Sequence, residues 1–224
     1  MLELRDPAEL PFHAGQYVDI RVPGTEWSRS FSMSSTPATA GRLEFLIKVY
    51  PDGQFSHLLE GELQPGDPLE VQGPYGTFTL RERSQADLLF VGGGAGMAPI
   101  LSVLRSLAEQ DSTRRATFYY GARTRSDLFL VAELEALTER LPGLDVVFAL
   151  SEPTLEDAWT GECGLITDVV ARRETDLEER EAYLCGPPPM VEAGIDLLTQ
   201  RGVPEERLHF DKFTTTASAE ETGG

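Results

Sequence analysis

In the first third of the chain, apolar and polar residues alternate in short stretches. Examples are 16–22 (Gln-Tyr-Val-Asp-Ile-Arg-Val) and 43–49 (Leu-Glu-Phe-Leu-Ile-Lys-Val). A period of two puts successive side chains on opposite faces of a strand. Turn signals punctuate these runs at Pro23-Gly24, Pro51-Asp52-Gly53, Pro65-Gly66-Asp67-Pro68 and Gly73-Pro74-Tyr75-Gly76. Short strands so spaced predict an antiparallel β-barrel or sandwich. One short helix over 54–60 is expected to interrupt it.

After Ser84 the rhythm changes. Apolar runs at 88–91, 116–120, 145–150, 182–185 and 208–213 read as strands. Amphipathic stretches at 99–109, 128–140 and 190–200 read as helices between them. Strand and helix in alternation predict a parallel, Rossmann-like sheet covered on both faces. Such sheets take ligands beyond the carboxyl ends of their strands, where the strand order reverses. The expected boundary therefore falls between a β-barrel domain over 1–83 and an α/β domain over 84–224. The last residues, 214–224, read as a frayed tail.

Charge narrows the function classes. The formal net charge is -18, with 7 basic against 12 acidic residues up to position 83 and 12 against 25 beyond it. A nucleic-acid binder needs clustered Lys and Arg, so that class is excluded. No apolar run approaches the ~20 residues of a membrane span, and the charged N-terminus is no secretory signal. Two cysteines, Cys163 and Cys185, do not make a disulfide framework, and the cytoplasm is the expected compartment. His13, His57 and His209 show no metal-ligand spacing, so no metal site is expected.

Three segments carry candidate chemistry. Gly92-Gly93-Gly94-Ala95-Gly96-Met97-Ala98-Pro99 follows an apolar strand and opens a helix. In that context glycines let backbone N–H groups approach a pyrophosphate, and Pro99 suits a first helical turn. Tyr183-Leu184-Cys185-Gly186-Pro187-Pro188-Pro189-Met190 ends a second strand on the same rim. In the β half, Arg29-Ser30-Phe31-Ser32 alternates so that Arg29 and Phe31 share one strand face and Ser30 and Ser32 the other. Taken singly, each segment is compatible with a merely structural turn or strand.

Together and in this order, these blocks resemble the ferredoxin–NADP reductase superfamily across nearly the whole chain. More narrowly the chain is similar to the reductase components of bacterial multicomponent oxygenases, of the phenol hydroxylase or methane monooxygenase type. Phe12-His13-Ala14-Gly15-Gln16-Tyr17, Ala149-Leu150-Ser151-Glu152-Pro153 and Phe210-Asp211-Lys212-Phe213 support the narrower likeness. The resemblance implies a flavoprotein that takes a hydride from NADH, or alternatively NADPH, onto FAD. Single electrons would then pass to a ferredoxin-like domain or an oxygenase. It implies that Arg29 meets the FAD pyrophosphate, with Ser30 also in contact with the cofactor, Phe31 the isoalloxazine and Ser32 the flavin N5. Ile47, Lys48 and Val49 would line the flavin through backbone, and Gly53 and Ser56 would receive its phosphate. Gly93, Gly94 and Gly96 would cradle the nicotinamide nucleotide. Cys185 and Gly186 would sit by the nicotinamide ring, with Asp211 and Phe213 near the flavin. Ser32, Cys185 and Asp211 are thus the expected catalytic corner.

The chain departs from the resemblance in two places. A plant-type [2Fe–2S] cluster needs four thiolates, and two distant cysteines cannot hold one. Little sequence precedes Phe12, so the first strand of the family's barrel is expected to be missing. Arg123 and Arg125 could clamp a 2′-phosphate, although the resemblance favours NADH. The rival readings are a reductase of free flavin and a non-catalytic flavin- or nucleotide-binding module.

Overall fold

A computed structural model describes residues 1–5, 9–49 and 53–213. The alternating third of the sequence forms β1 (Leu2–Glu3), β2 (Tyr17–Arg21), β3 (Ser28–Ser32), β4 (Arg42–Leu43) and β5 (Glu70–Tyr75). They make two antiparallel sheets, β3-β2-β5 and β1-β4. Among the described residues an isolated bridge, Met33 to Phe45, links them. Val18 and Ile20 of β2 point inward with Met33, Leu43 and Phe55, while Asp19 and Arg21 face outward. The period of two is therefore realised in β2.

In two places, the 43–49 run and the Gly73-Pro74 turn, the outcome differs from the sequence expectation. The 43–49 run pairs only through β4 and the Phe45 bridge, and residues 46–49 lie outside any strand. Phe45, Leu46 and Ile47 are all half-buried, so the alternation in sequence does not become two distinct faces. The Gly73-Pro74 turn signal lies instead inside β5. A proline is tolerated there because β5 is an edge strand, and β2 is bulged opposite it between Tyr17 and Asp19. Ahead of Phe12, Leu2–Glu3 forms a strand paired with Arg42–Leu43. The short helix appears as α1 (Gln54–His57), running into a π-helical turn over Leu58–Glu62. Pro51 and Asp52 of the turn before it, and the 214–224 tail, lie outside the described residues.

The second part alternates as its pattern predicts. In chain order it forms β6 (Leu88–Gly93), α2 (Met97–Glu109), β7 (Ala116–Ala122), α3 (Val131–Arg140) and β8 (Leu144–Leu150). There follow β9 (Glu162–Cys163), α4 (Ile166–Arg173), β10 (Glu181–Gly186), α5 (Pro188–Gln200) and β11 (Leu208–Lys212). The strands make one six-stranded parallel sheet in the order β11-β10-β6-β7-β8-β9. Its order reverses beside β6, the first strand laid down in sequence.

Strands β6 and β10 are buried at every position, which explains their continuous apolar runs. Leu88, Phe90, Phe118, Tyr120, Tyr183 and Cys185 pack on one face with α2 and α3. Leu89, Val91, Tyr119, Val147 and Leu184 pack on the other with α4 and α5. Fully burying each such aliphatic or Phe side chain stabilises the fold by about 1.5–3 kcal/mol. The first face also receives Ala14, Phe78 and Leu80 from the antiparallel half, so the two halves share that core.

Two helices depart from expectation. Helix α3 starts at Val131, not 128, because Leu130 is left-handed (φ 56°). A capping box between Thr124 and Asp127 closes a 3-10 turn there, and Leu128, Phe129 and Leu130 pack on the first core instead. Helix α4 is unforeseen. Its β-branched Ile166, Thr167, Val169 and Val170 have weak helix propensity, and burial of that face holds the helix. Among the described residues no helix is long and apolar enough to cross a membrane.

Candidate active site

The strand register aligns two ranks of residues across the carboxyl ends of the parallel sheet. In one rank Asp211, Cys185, Gly92 and Tyr120 stand side by side. In the next, Gly93 stands beside Gly121, and Gly186 beside Lys212. The rim at the reversal of strand order is thus made largely of glycine backbone. The N-termini of α2 and α5 rise from it, and the positive ends of both helices lie on this rim.

The glycines serve different purposes. A Cβ on Gly96 would lie 2.2 Å from the Cys185 carbonyl oxygen and 2.5 Å from the Gly186 nitrogen. Gly96 therefore brings the start of α2 hard against the end of β10. Gly94 has φ +57° and nothing within 4 Å of such a Cβ, so it requires its backbone conformation and faces open space. Beneath both loops lies Met190, whose Sδ would be 3.0 Å from a Cβ on Gly93 and whose Cε would be 2.8 Å from one on Gly186. Met190 closes the quoted Cys-Gly-Pro-Pro-Pro-Met run, yet nothing in its residue type marks it as the floor. Pro188 and Pro189 occupy the opening positions of α5, as their missing N–H groups allow.

Cys185 is wholly buried and lies on the sheet face shared with the antiparallel half. Burial, reinforced by the Asp211 carboxylate, pushes its thiol well above the ordinary range. The thiol is therefore held neutral and is not primed as a thiolate nucleophile. Burial also raises the Asp211 carboxyl, partly offset by a hydrogen bond from the Lys212 backbone. The Phe213 N–H donates to the Gly186 carbonyl at 2.9 Å, and its ring packs on the first core. Cys185, Gly186, Asp211 and Phe213 are therefore brought together.

In the antiparallel half, Arg29 and Phe31 are half-buried on one face of β3. Arg29 lies over the Trp27 ring and donates to the Ser28 carbonyl at 2.8 Å. The Phe31 ring stacks obliquely on Phe55 of α1, with centroids 4.8 Å apart, which brings Phe31 against α1, where Ser56 is also buried. Ser30 points away from this face and donates to Asp19 Oδ1 at 2.5 Å. Ser32 is buried at the end of β3 opposite Tyr17. Ile47 packs against the small core, whereas Lys48 and Val49 are exposed. The Lys48 ammonium helps hold the Asp127 carboxyl of the second half below its ordinary range, behind two hydrogen bonds from Thr124.

Arg123 leaves the rim. Its guanidinium forks onto Glu152, with Nε–Oε1 3.2 Å and Nη2–Oε2 3.0 Å, and Arg125 donates to the Asp157 carbonyl at 2.7 Å. Glu152 stood within the quoted Ser151-Glu152-Pro153 run, but 29 residues of separation hid its pairing with Arg123. Among the described residues no cluster of His, Cys, Asp and Glu is placed to hold a metal.

The geometry fits two nucleotides. Gly94 and Gly186 supply a backbone rim at helix N-termini, and Arg29 with Phe31 supplies a cation and an aromatic on one strand face. Comparison with known proteins agrees. Residues 1–80 match the oxidoreductase FAD-binding domain and residues 90–194 the oxidoreductase NAD-binding domain. The propane 2-monooxygenase reductase component of Rhodococcus jostii (strain RHA1) is 49% identical over 215 residues, 95% of this chain and 58% of that protein. The phenol 2-monooxygenase reductase component DmpP of Pseudomonas sp. (strain CF600) is 34% identical over 217 residues, 96% of this chain and 62% of that protein. The crystal structure of Amycolatopsis cytochrome P450 reductase GcoB superposes with a TM-score of 0.84 at 32% identity, covering 92% of this chain and 62% of that one. The chain thus spans about three fifths of the length of these curated relatives.

Proposed function

This chain belongs to the oxidoreductases that join an FAD-binding domain to an NAD-binding domain, and from that premise we propose that it is the NADH-oxidising, electron-delivering part of an oxygenase reductase. The observation that carries the reading is the shared corner. Buried Cys185 lies on the sheet face that packs against the antiparallel half, with Asp211 beside it, and the glycine rim runs along the edge directly above them. FAD bound there would accept one hydride, carrying two electrons, from NADH and release the electrons singly, chemistry that belongs to the cofactor. The protein binds, orients and excludes water.

Each residue has a task in this reading. The Arg29 guanidinium holds a pyrophosphate by its planar fork, with Ser30 anchoring β3 through Asp19. Phe31, Ser32 and the 47–49 segment bound the flavin ring, and Gly53 and Ser56 approach its phosphate. Gly93, Gly94 and Gly96 receive the nicotinamide nucleotide. Cys185 and Gly186 fix the height of its ring, and Asp211 and Phe213 close the corner from the C-terminal strand. The domain boundary is proposed at 83/84, and the cytoplasm as the compartment where this electron source is found. The acceptor is proposed to be an iron–sulfur domain or an oxygenase, by analogy with the named relatives.

NADH is the proposed donor because Arg123 is already forked onto Glu152. A 2′-phosphate would have to displace one carboxylate and lie beside it. Glu152→Gln is expected to raise kcat/KM for NADPH relative to NADH by roughly tenfold, the equivalent of one lost charge repulsion. An unchanged ratio would remove Glu152 from the specificity argument.

The decisive experiment is anaerobic stopped-flow mixing of the purified yellow protein with NADH, followed by flavin absorbance. Rapid bleaching with flavin retained through dialysis is expected. A protein that holds FAD but is not bleached by either nucleotide would overturn the reading, and one that releases reduced flavin would be a free-flavin reductase.

A further inference from the structure

Helix α2 begins at the glycine rim and, further along, meets the segment just beyond β3. Its side chains at positions 102, 105 and 109 grip three consecutive residues just beyond β3. Ser102 Oγ donates to the Ser35 carbonyl at 2.6 Å, and Arg105 Nη1 donates to the Ser34 carbonyl at 2.9 Å. Thr36 Oγ1 donates to Glu109 Oε1 at 2.8 Å. The spacing of three and four puts all three helix residues on one face. Ser34, Ser35, Thr36 and Ser102 are almost wholly buried, so with α2 packed in place the carbonyls of 34 and 35 depend on its side chains for these hydrogen bonds.

Arg105 gathers the most contacts. Besides Ser34 it binds Glu44 Oε2 at 2.8 Å in the antiparallel half and Glu133 Oε1 at 2.6 Å on α3. One planar guanidinium therefore ties three segments together, a task to which a point charge such as Lys is poorly suited. Ser34 lies two residues past Ser32, and α2 begins directly after Gly96, which abuts Cys185 and Gly186. A rigid connection thus runs from Ser32 through Ser34, Arg105 and α2 to Gly96 and Cys185.

We infer that Arg105, supported by Ser102, is a positioning residue that sets the separation of the flavin ring and the nicotinamide ring. It touches neither. The inference rests on the hydride-transfer reading above. Near-attack geometry is steep in distance, and a displacement of about 1 Å can cost about 100-fold in rate.

The test uses FAD-loaded full-length protein and the variants R105A, R105K and S102A. For R105A the limiting rate of flavin bleaching at saturating NADH is expected to fall about 10- to 100-fold. FAD content and the half-saturating NADH concentration should stay within about twofold, since neither binding surface is touched. R105K, which keeps the charge and loses the fork, should fall between R105A and the native protein. Two readouts are independent of turnover. The long-wavelength absorbance from ring contact, seen when NAD+ is titrated into the reduced protein, should weaken in R105A. Amide hydrogen exchange in the flavin-loaded, nucleotide-free protein should rise at both 33–37 and 94–98. A native limiting rate in R105A would overturn the inference, as would a loss that tracks FAD content or folded fraction. If R105A does not fold, S102A decides on the same readouts. Should the native protein itself not bleach with NADH, the functional reading fails first. Bleaching of native protein and R105A at equal rates defeats only the positioning role.

Discussion

The two halves build their parts of the site from different materials. In the parallel half the rim is backbone: Gly93, Gly94, Gly96 and Gly186, held by strands buried at every position and by the opening turns of α2 and α5. In the antiparallel half the proposed corresponding face is side chain: Arg29 and Phe31 on a five-residue strand, in sheets linked among the described residues by an isolated bridge. Where a rim glycine abuts main chain, as Gly96 does, no added atom is tolerated, because the neighbour that would have to move is backbone. A side-chain site can lose a group while its strand survives. Fold and function should therefore fail together in the parallel half and separate in the antiparallel half.

The largest effect is expected at Gly96→Ala. A methyl 2.2 Å from the Cys185 carbonyl cannot be accommodated by a rotamer change. The loss should exceed the about 1–3 kcal/mol usual for overpacking, lowering Tm by roughly 10 °C together with NADH oxidation. Stability intact with activity lost would break the comparison. Next is Glu181→Ala at the opposite end of the sheet. Glu181 pairs with Arg114 at 3.2 Å and with His209 at 3.1 Å, all three nearly out of solvent. Removing it strands the Arg114 charge, a loss of about 3 kcal/mol. That is the low end of the range, because Arg114 keeps the Ala86 carbonyl. Urea midpoints would measure it.

The same cluster sets a pH dependence. Burial holds His209 below its ordinary value of 6.5, outweighing the Glu181 hydrogen bond that raises it. Between the lowered value and 6.5 the unfolded chain binds the proton and the folded one does not. Stability is thus full above 6.5 and falls as pH drops toward the folded value. A urea midpoint lower at about pH 5.5 than at pH 7 is expected, and the part of that fall due to His209 should vanish in His209→Gln.

In the antiparallel half, Arg29→Ala should weaken FAD binding by about 10- to 100-fold, the loss of a charge-assisted hydrogen bond pair, while Tm of the FAD-free protein stays within a few degrees. Equal losses of FAD and of the fold would show that β3 is no more tolerant than the rim. Smallest is Gly94→Ala, which meets nothing within 4 Å and costs only its left-handed backbone, about 1 kcal/mol. Its contrast with Gly96→Ala, two residues away, isolates close packing from conformation.

The legibility of the site follows the same division. The rim could be read from sequence because a backbone site advertises itself by residue type. Glycine and proline at fixed offsets after an apolar run have few other uses. The parallel sheet was legible for a related reason, since β6 and β10 must be apolar throughout when both faces are covered. Arg29-Ser30-Phe31-Ser32 acquired meaning only through its resemblance to known reductases. Even then the sequence did not show that Ser30 turns toward Asp19 or that Phe31 meets Phe55. Helix α4 and residues 46–47 misled because tertiary burial overrode local propensity and period.

What the sequence determined by itself is local: the rhythm of strand and helix, the glycine rim and the order of the blocks. These depend on backbone conformation and on periods of two and about 3.6, which neighbours along the chain dictate. What only the tertiary structure decided is pairing at a distance. Arg123 went to Glu152 and away from the rim, Cys185 came beside Asp211, and Arg105 reached Ser34 across 71 residues. Charges and hydrogen-bonding groups have many possible partners in a chain, and burial chooses among them only once the two halves have packed on a common core.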